Sequence, residues 1–502
     1  MLRNNIYKKI FYILFLAFTT GCSEYLSELP DNRTVIDSPE KISQLITGAY
    51  PNANYMLIAE FRSDNTDHKG NSNGESQLSQ EMYLWKDSSL ENQDTPNFYW
   101  LSCYEAIAQA NQALQSIEEL KGQYNLNAQK GEALLARAYA HFMLVNLWGK
   151  HYNKDTADSD LGVPYVTESE EVLIKEYKRN TVQEVYDFIE KDLIEGLSLM
   201  EKLSSTDSKQ DQSKFHFSKE SGYAFAARFY TYKAEWDKVI AYASKVISTP
   251  ANLSEVRNDL FYRSLTYSQT LNIYSGYTED ANLLIASTSS LWGRSFAGTR
   301  YGLSIDKAEE LFFGIGNNPL DKPWAYRVFG TGNFYNLPKI GEYFKLTNLS
   351  AGIGLPFVQI VLFDKDEVLL NRAEAYVMNK NYTDALSDLN VFLASKTRNY
   401  DISSDFLTET LIEDKYSFVK DEYSPFYVLN NKQTGFIKAI AEFKRRDFYH
   451  EGLRWFDVRR FGLEIKHDFV DASAITLEKN DLRKQLQIPG FALARGIKPN
   501  PR

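Results

Sequence analysis

Histidine, cysteine and positive charge are all scarce in this chain, and each scarcity excludes a class of function. There are six histidines among 502 residues, and none lies four places from another, so no helical pair of imidazole metal ligands exists. His450-Glu451-Gly-Leu-Arg454 opens like a zinc-protease helix, but Arg454 stands where the second ligand would be. The formal net charge of −10 argues against nucleic acid, because neutralising phosphates takes clustered Lys and Arg. Gly314-Ile-Gly316 and Gly330-Thr-Gly332 lack the third glycine and the strand–helix setting of a dinucleotide loop. From Asn65, Asp67 and Gly70 fall at EF-hand positions, but Lys69 fills a ligand slot and Ser76 the twelfth. That leaves either a looser Asx-rich calcium site or a solvated turn. The 66 acidic residues leave a hydrolytic carboxylate pair open, and nothing singles one out. No catalytic residue, cofactor or metal is assigned.

Long apolar runs are also missing, except at the start. Elsewhere the best rival, Leu134 to Trp148, is broken by Arg137, His141 and Asn146, short of the ~18 apolar residues a crossing needs. At the N-terminus Arg3, Lys8 and Lys9 precede the apolar run Ile10 to Phe18, then Thr19-Thr20-Gly21-Cys22. That run is too short to span a bilayer of ~30 Å and reads as a signal peptide over residues 1–21. Gly-Cys after it resembles the lipobox of bacterial lipoproteins, in which the Cys is acylated and becomes the first residue. Thr19 departs from the Leu usual there. With Cys22 lipidated, Cys103 has no partner and no disulfide forms. The mature chain must then rely on its core, and it is long enough to bury one.

Aromatic residues are abundant, with 33 Tyr and 31 Phe against 6 Met. Tyr and Trp join an apolar body to a polar tip, which suits ligand stacking and partner contacts, although most of them must pack the interior. Helical periodicity puts Ile107, Ala110, Leu114 and Ile117 on one face of residues 104–120. Leu135, Ala138, Phe142 and Val145 do the same in residues 132–148. A polar link with Gly122 and Asn125 makes these an antiparallel pair.

A repeat follows. Ala227 to Ile240 matches Ala373 to Leu386, with Tyr230 against Tyr376 and Trp236 against Tyr382. The apolar spacing continues as Trp236, Ile240, Ala243, Ile247 against Tyr382, Leu386, Leu389, Leu393. Each copy resembles a tetratricopeptide helix-turn-helix unit. Copies so far apart in sequence are expected not to form one contiguous solenoid. The expected fold is mostly α: helical pairs in one scaffold, interrupted by long irregular loops at 60–100, 262–300 and 315–360. Loops of that length are commonly functional, and their aromatic content argues against disorder.

The strongest charge constellation runs from Arg445-Arg446-Asp447 through Glu451-Gly-Leu-Arg454 to Asp457-Val-Arg459-Arg460. Helical spacing predicts that Glu451 reaches Arg454 and Asp457 reaches Arg460 within a salt-bridged, partly buried helix. Lys444 to Gly462 resembles the C-terminal signature of the SusD/RagB family of Bacteroidota. Leu369 to Tyr376 with Ala385 to Asn390 resembles the family's C-terminal helical pair. Ala133 to Gly149 with Gly162-Val-Pro164 resembles its N-terminal half, and Gln487-Ile-Pro489 with Asn500-Pro501 its closing segment. The resemblance implies one domain over 22–502, with halves at about 22–250 and 275–502. It also implies a non-enzymatic outer-membrane lipoprotein that captures nutrients, usually oligosaccharides, for a TonB-dependent transporter of the SusC type. Only Ser23-Glu24 supplies acidity after Cys22, where surface-exported lipoproteins often carry more.

The family's ligand residues follow no fixed motif, so candidates rest on physics. A sugar offers a CH face for stacking and hydroxyls for charged or amide groups. Loop residues joining those features are Arg62, Asp64 and Trp85; Trp292 and Arg294; and Trp324, Tyr326 and Tyr335. Trp100, Trp148, Trp236 and Trp455 lie on helical faces and are read as core. Peptide capture, a surface glycoside hydrolase and a purely structural role remain as alternatives.

Overall fold

The computed structural model describes residues 36–70, 75–169, 176–203, 213–314, 316–332 and 334–502. Cys22 and the leader lie outside the described residues. The first helix pair is longer than its periodicity suggested. Helix α1 (Pro96–Glu119) starts where Thr95 caps the backbone N–H of Phe98 and Pro96 takes the first turn, where its missing N–H costs nothing. Helix α2 (Asn127–Trp148) returns antiparallel against it. Helix α3 (Val182–Glu201) packs on α2 and is started by a Thr181–Glu184 capping box. Helices α4 (Lys219–Lys233) and α5 (Trp236–Ala243) form the first copy of the repeat, and α6 (Lys365–Met378) and α7 (Tyr382–Lys396) the second.

The two copies turn in the same way. Ala234 and Lys380 hold left-handed conformations at φ +58° and +62°, and the next N–H reaches back, Glu235 to Tyr230 O at 3.0 Å and Asn381 to Tyr376 O at 2.8 Å. They are also direct neighbours, because α6 packs on both α4 and α5. The intervening chain loops out and returns, so helices distant in sequence stack continuously. The expected break between the copies is therefore corrected. Buried ion pairs set the stacking register. Arg228 on α4 holds Glu367 on α6, and Arg372 on α6 grips Asp388 on α7 through two 2.8 Å bonds. Helices α8 (Asn431–Asp447) and α9 (Leu453–Arg460) complete the frame. Glu374 on α6 receives Arg460 from α9 at 2.5 Å and Lys444 from α8 at 3.2 Å.

Two expectations about the rest of the chain need correction. The regions read as irregular contain a three-stranded antiparallel sheet: Asn282–Ser289, Ile353–Asp364 and Glu342–Asn348, in that order. Its central strand is rich in Ile, Val, Leu and Phe, residues that suit a pleated surface. It feeds directly into α6, whose N-cap is Asp364. Second, Glu451 does not reach Arg454. A turn at Gly452, with φ +74°, separates them, and Glu451 takes Lys339 at 2.8 Å and the Tyr274 hydroxyl at 2.8 Å. Asp457 does pair with Arg460, at 2.9 Å. Cys103 is free and buried. Among the described residues no helix is long and apolar enough to cross a membrane.

Candidate ligand-binding face

The three inter-helix regions converge on one face through very short strands. Asp67–His68 pairs antiparallel with Tyr301–Gly302, and the Lys69 N–H extends the ladder to Arg300 O at 2.7 Å. Leu303 then bridges to Tyr335, within the hairpin Phe329–Thr331 and Phe334–Asn336. Segments from all three regions thus lie side by side.

Beneath this face lies a column of four buried rings. Tyr83 stacks on Tyr301 with centroids 4.4 Å apart and on His467 at 4.1 Å, and Trp85 covers the other side of His467 at 4.3 Å. Such pairs add to burial and fix ring geometry. The base is pinned by the C-terminal signature. Arg454 holds both Asp64 oxygens at 2.8 Å. Arg445 donates to Asp64 O at 2.8 Å, to Asn65 Oδ1 at 3.0 Å and to Glu310 at 2.7 Å. Burial works against the Asp64 charge, but Arg445 and Arg454 together hold its carboxyl well below the usual carboxylate range. The side chains of Asp64 and Asn65 are thus engaged by protein groups, Asn65 also donating to Glu60 at 3.1 Å. Among the described residues no group of three or more His, Cys, Asp or Glu could hold a metal ion.

On the face itself, the half-buried Glu75, Arg300, Phe334 and Tyr335 and the exposed Phe313 lie around the buried Lys69, Tyr301 and Ser304. Arg300 and the Tyr301 hydroxyl share the Glu75 carboxylate at 2.6 and 2.7 Å. Ser304 donates to Asp67 at 2.5 Å. The Lys69 ammonium sits 4.8 Å from the Phe334 ring centre, and burial pushes it down to about 8. Phe313, exposed at 43%, meets Tyr335 edge-on at 6.0 Å. Half-buried rings beside charged pairs present stacking surfaces next to hydrogen-bond donors and acceptors, the two contacts a polyhydroxylated ring makes.

The sequence-derived candidates divide sharply. Five are interior: Arg62, Trp85, Trp292, Trp324 and Tyr326 are all buried. Trp85 Nε1 donates to Arg62 O at 2.9 Å, and Trp292, with no exposed surface, donates to His450 O at 2.9 Å. Tyr326 donates to Asp447 at 3.1 Å. Trp324 packs against Tyr326 and Phe443, and Arg62 lies over Trp455. The expectation that these five stand exposed in loops is corrected: they form the support. Asp64 sits at the base, partly exposed. Arg294 is exposed and paired with Glu342. Tyr335 is the candidate that lies on the face. Missed by sequence reading were Glu75, Arg300, Phe313 and Phe334, which no periodicity or motif marks. Of the tryptophans read as core, Trp100, Trp148 and Trp455 are buried, and Trp236 is half-buried.

A stacked helical frame with a loop-built aromatic face over an ionic base defines a class of helical scaffold proteins. Comparison with known proteins narrows it. Residues 24–231 match a family model described as starch-binding associating with outer membrane, and residues 366–488 match the SusD family model. The chain belongs to the SusD/RagB family. Among solved structures it resembles a SusD superfamily protein from Bacteroides thetaiotaomicron, with 21% identity and a TM-score of 0.65, covering 93% of this chain and 100% of that one. A putative sugar binding protein from Bacteroides vulgatus gives 19%, 0.67, 93% and 99%. A SusD-like carbohydrate binding protein from the same species gives 16%, 0.63, 91% and 96%. No curated protein matches the chain in sequence.

Proposed function

We propose that this chain is a non-enzymatic, lipid-anchored receptor that captures oligosaccharides at the outer membrane for a TonB-dependent transporter of the SusC type. One observation carries the reading: three long inter-helix regions meet to form a single face of half-exposed aromatic rings set beside charged groups. The likeness to structures described as sugar and carbohydrate binding proteins supports it, as does the family's association with the outer membrane. Cys22 is the anchor, and the tether keeps the receptor beside its transporter at high effective concentration. Peptides are the alternative ligand class.

Affinity electrophoresis of the purified chain against a panel of polysaccharides, with peptides in parallel, tests this reading. Retardation by at least one polysaccharide without sugar release is expected. Sugar release would overturn the non-enzymatic reading, and retention by peptides alone would transfer the role to that ligand class. Labelled palmitate should enter the wild type and not Cys22→Ser.

A further inference from the structure

A cavity of about 390 Å³ opens between the segment after α2, the turn after α9 and the 479–485 loop. Its walls carry a surplus of positive charge in a chain whose net charge is −10. Five cations line it, and only two acids, Asp160 and Asp481. Both acids are already used. Asp160 takes Lys150 at 2.5 Å and the Thr156 hydroxyl at 2.7 Å. Asp481 is held by Arg483 at 2.6 Å. Arg460, the second paired cation, is neutralised by Glu374 at 2.5 Å and Asp457 at 2.9 Å.

Three cations are left with neutral oxygens as partners. Arg459 donates to Gly149 O at 2.5 Å. Lys484 donates to Leu463 O at 2.5 Å and to Lys479 O at 2.8 Å. Lys479 donates to Ser424 Oγ at 3.1 Å. Arg459 is 9% and Lys484 7% exposed. The His151 ring also lines the cavity, and its Nε2 is buried without a partner. Burial pushes Lys484 down to about 8, with Asp481 and Glu464 opposing the shift, and Arg459 down to about 10, the direction expected of cations removed from water. The neighbouring cavity past Lys479 differs: there Asp64, Glu442, Arg445 and Arg454 neutralise one another.

We propose that this cavity binds one oxyanionic group, a sulfate, phosphate or carboxylate, held by Arg459, Lys479 and Lys484 with the His151 ring at its wall. An oxyanion accepts charge-assisted bonds from all three cations at once and offsets their desolvation. The group could be a free inorganic ion or the carboxylate of an acidic sugar, and the test separates these sources.

Calorimetric titration of the purified full chain is run at constant ionic strength with sulfate, phosphate, a tetragalacturonide and the matching neutral galactose oligomer. The variants Lys484→Met and Lys479→Gln are run beside it, with circular dichroism as the check on folding. Lys479 is half-exposed and makes one side-chain bond, so its variant keeps the test valid if Lys484→Met unfolds. Expected is saturable 1:1 binding of at least one oxyanion, weakened roughly tenfold or more in the folded variants. Binding of inorganic ions alone identifies a free-ion site, and tighter binding of the uronide identifies an acidic sugar. Absence of saturable binding in every oxyanion arm, or binding that the folded variants leave undiminished, overturns the proposal.

Discussion

Arg454 and Asp64, 390 positions apart, meet in a two-pronged ion pair, with Arg454 Nε and Nη2 each 2.8 Å from a carboxylate oxygen of Asp64. The pair ties the C-terminal signature to the base of the candidate face. Because the folded Asp64 carboxyl is held below its ordinary range, its contribution to stability is present above the unfolded value near ~3.9 and lost as pH falls below it. Asp64→Asn is therefore expected to lower stability at pH 7 by about 1–3 kcal/mol. Urea denaturation should show that deficit shrinking at pH 3.

Glu60 has the opposite sign. Burial pushes its carboxyl up to about 7, despite N–H bonds from His450, Asn65 and Gly452. A raised carboxylate binds its proton more tightly when folded, so its contribution is present at low pH and lost as pH rises through about 7. The stability difference between the wild type and Glu60→Gln should accordingly move in favour of the glutamine variant between pH 5 and pH 8, by roughly 1–3 kcal/mol. A difference that stays constant across that range would contradict the assignment.

Gly452 is required by both conformation and space. Its φ is +74°, and a Cβ there would lie 3.0 Å from Ala59 Cβ and 3.2 Å from Met56 Cα. Gly452→Ala should cost about 2 kcal/mol or more, read as a fall in the urea midpoint. Gly496, also left-handed at φ +85° but with open space around it, should cost less when changed to Ala.

Trp292 and Tyr335 should separate folding from binding. Trp292→Ala removes a fully buried indole and should lower stability by about 3–5 kcal/mol. Tyr335→Ala should change stability by no more than about 1 kcal/mol. Thermal melts of the two variants check this.

Sequence reading recovered the helical frame because its signals are local. The apolar spacing of α1 and α2 and the repeated turn at Ala234 and Lys380 are written within a few residues, whereas the Thr95 cap that starts α1 ahead of its periodic stretch was not read. The face was only partly legible because its geometry is non-local. Strands of two residues, Asp67–His68 and Tyr301–Gly302, carry no periodicity, and nothing in residues 60–85 announces that His467 will slide between Tyr83 and Trp85. Composition misled at the tryptophans: a Trp beside charged residues in an aperiodic segment looks like an exposed anchor, yet Trp85 and Trp292 bond to backbone carbonyls indoors. Charged pairing failed where a glycine broke the helix, as it did between Glu451 and Arg454.

Calorimetric titration of the full chain and its Tyr335→Ala variant, with the oligosaccharide that retards the chain best, is the most direct test of the capture face. The wild type is expected to bind it saturably, and Tyr335→Ala to bind roughly tenfold more weakly while melting normally. Saturable binding that Tyr335→Ala, Phe334→Ala and Phe313→Ala all leave unchanged would place the ligand elsewhere and contradict the assignment of this face.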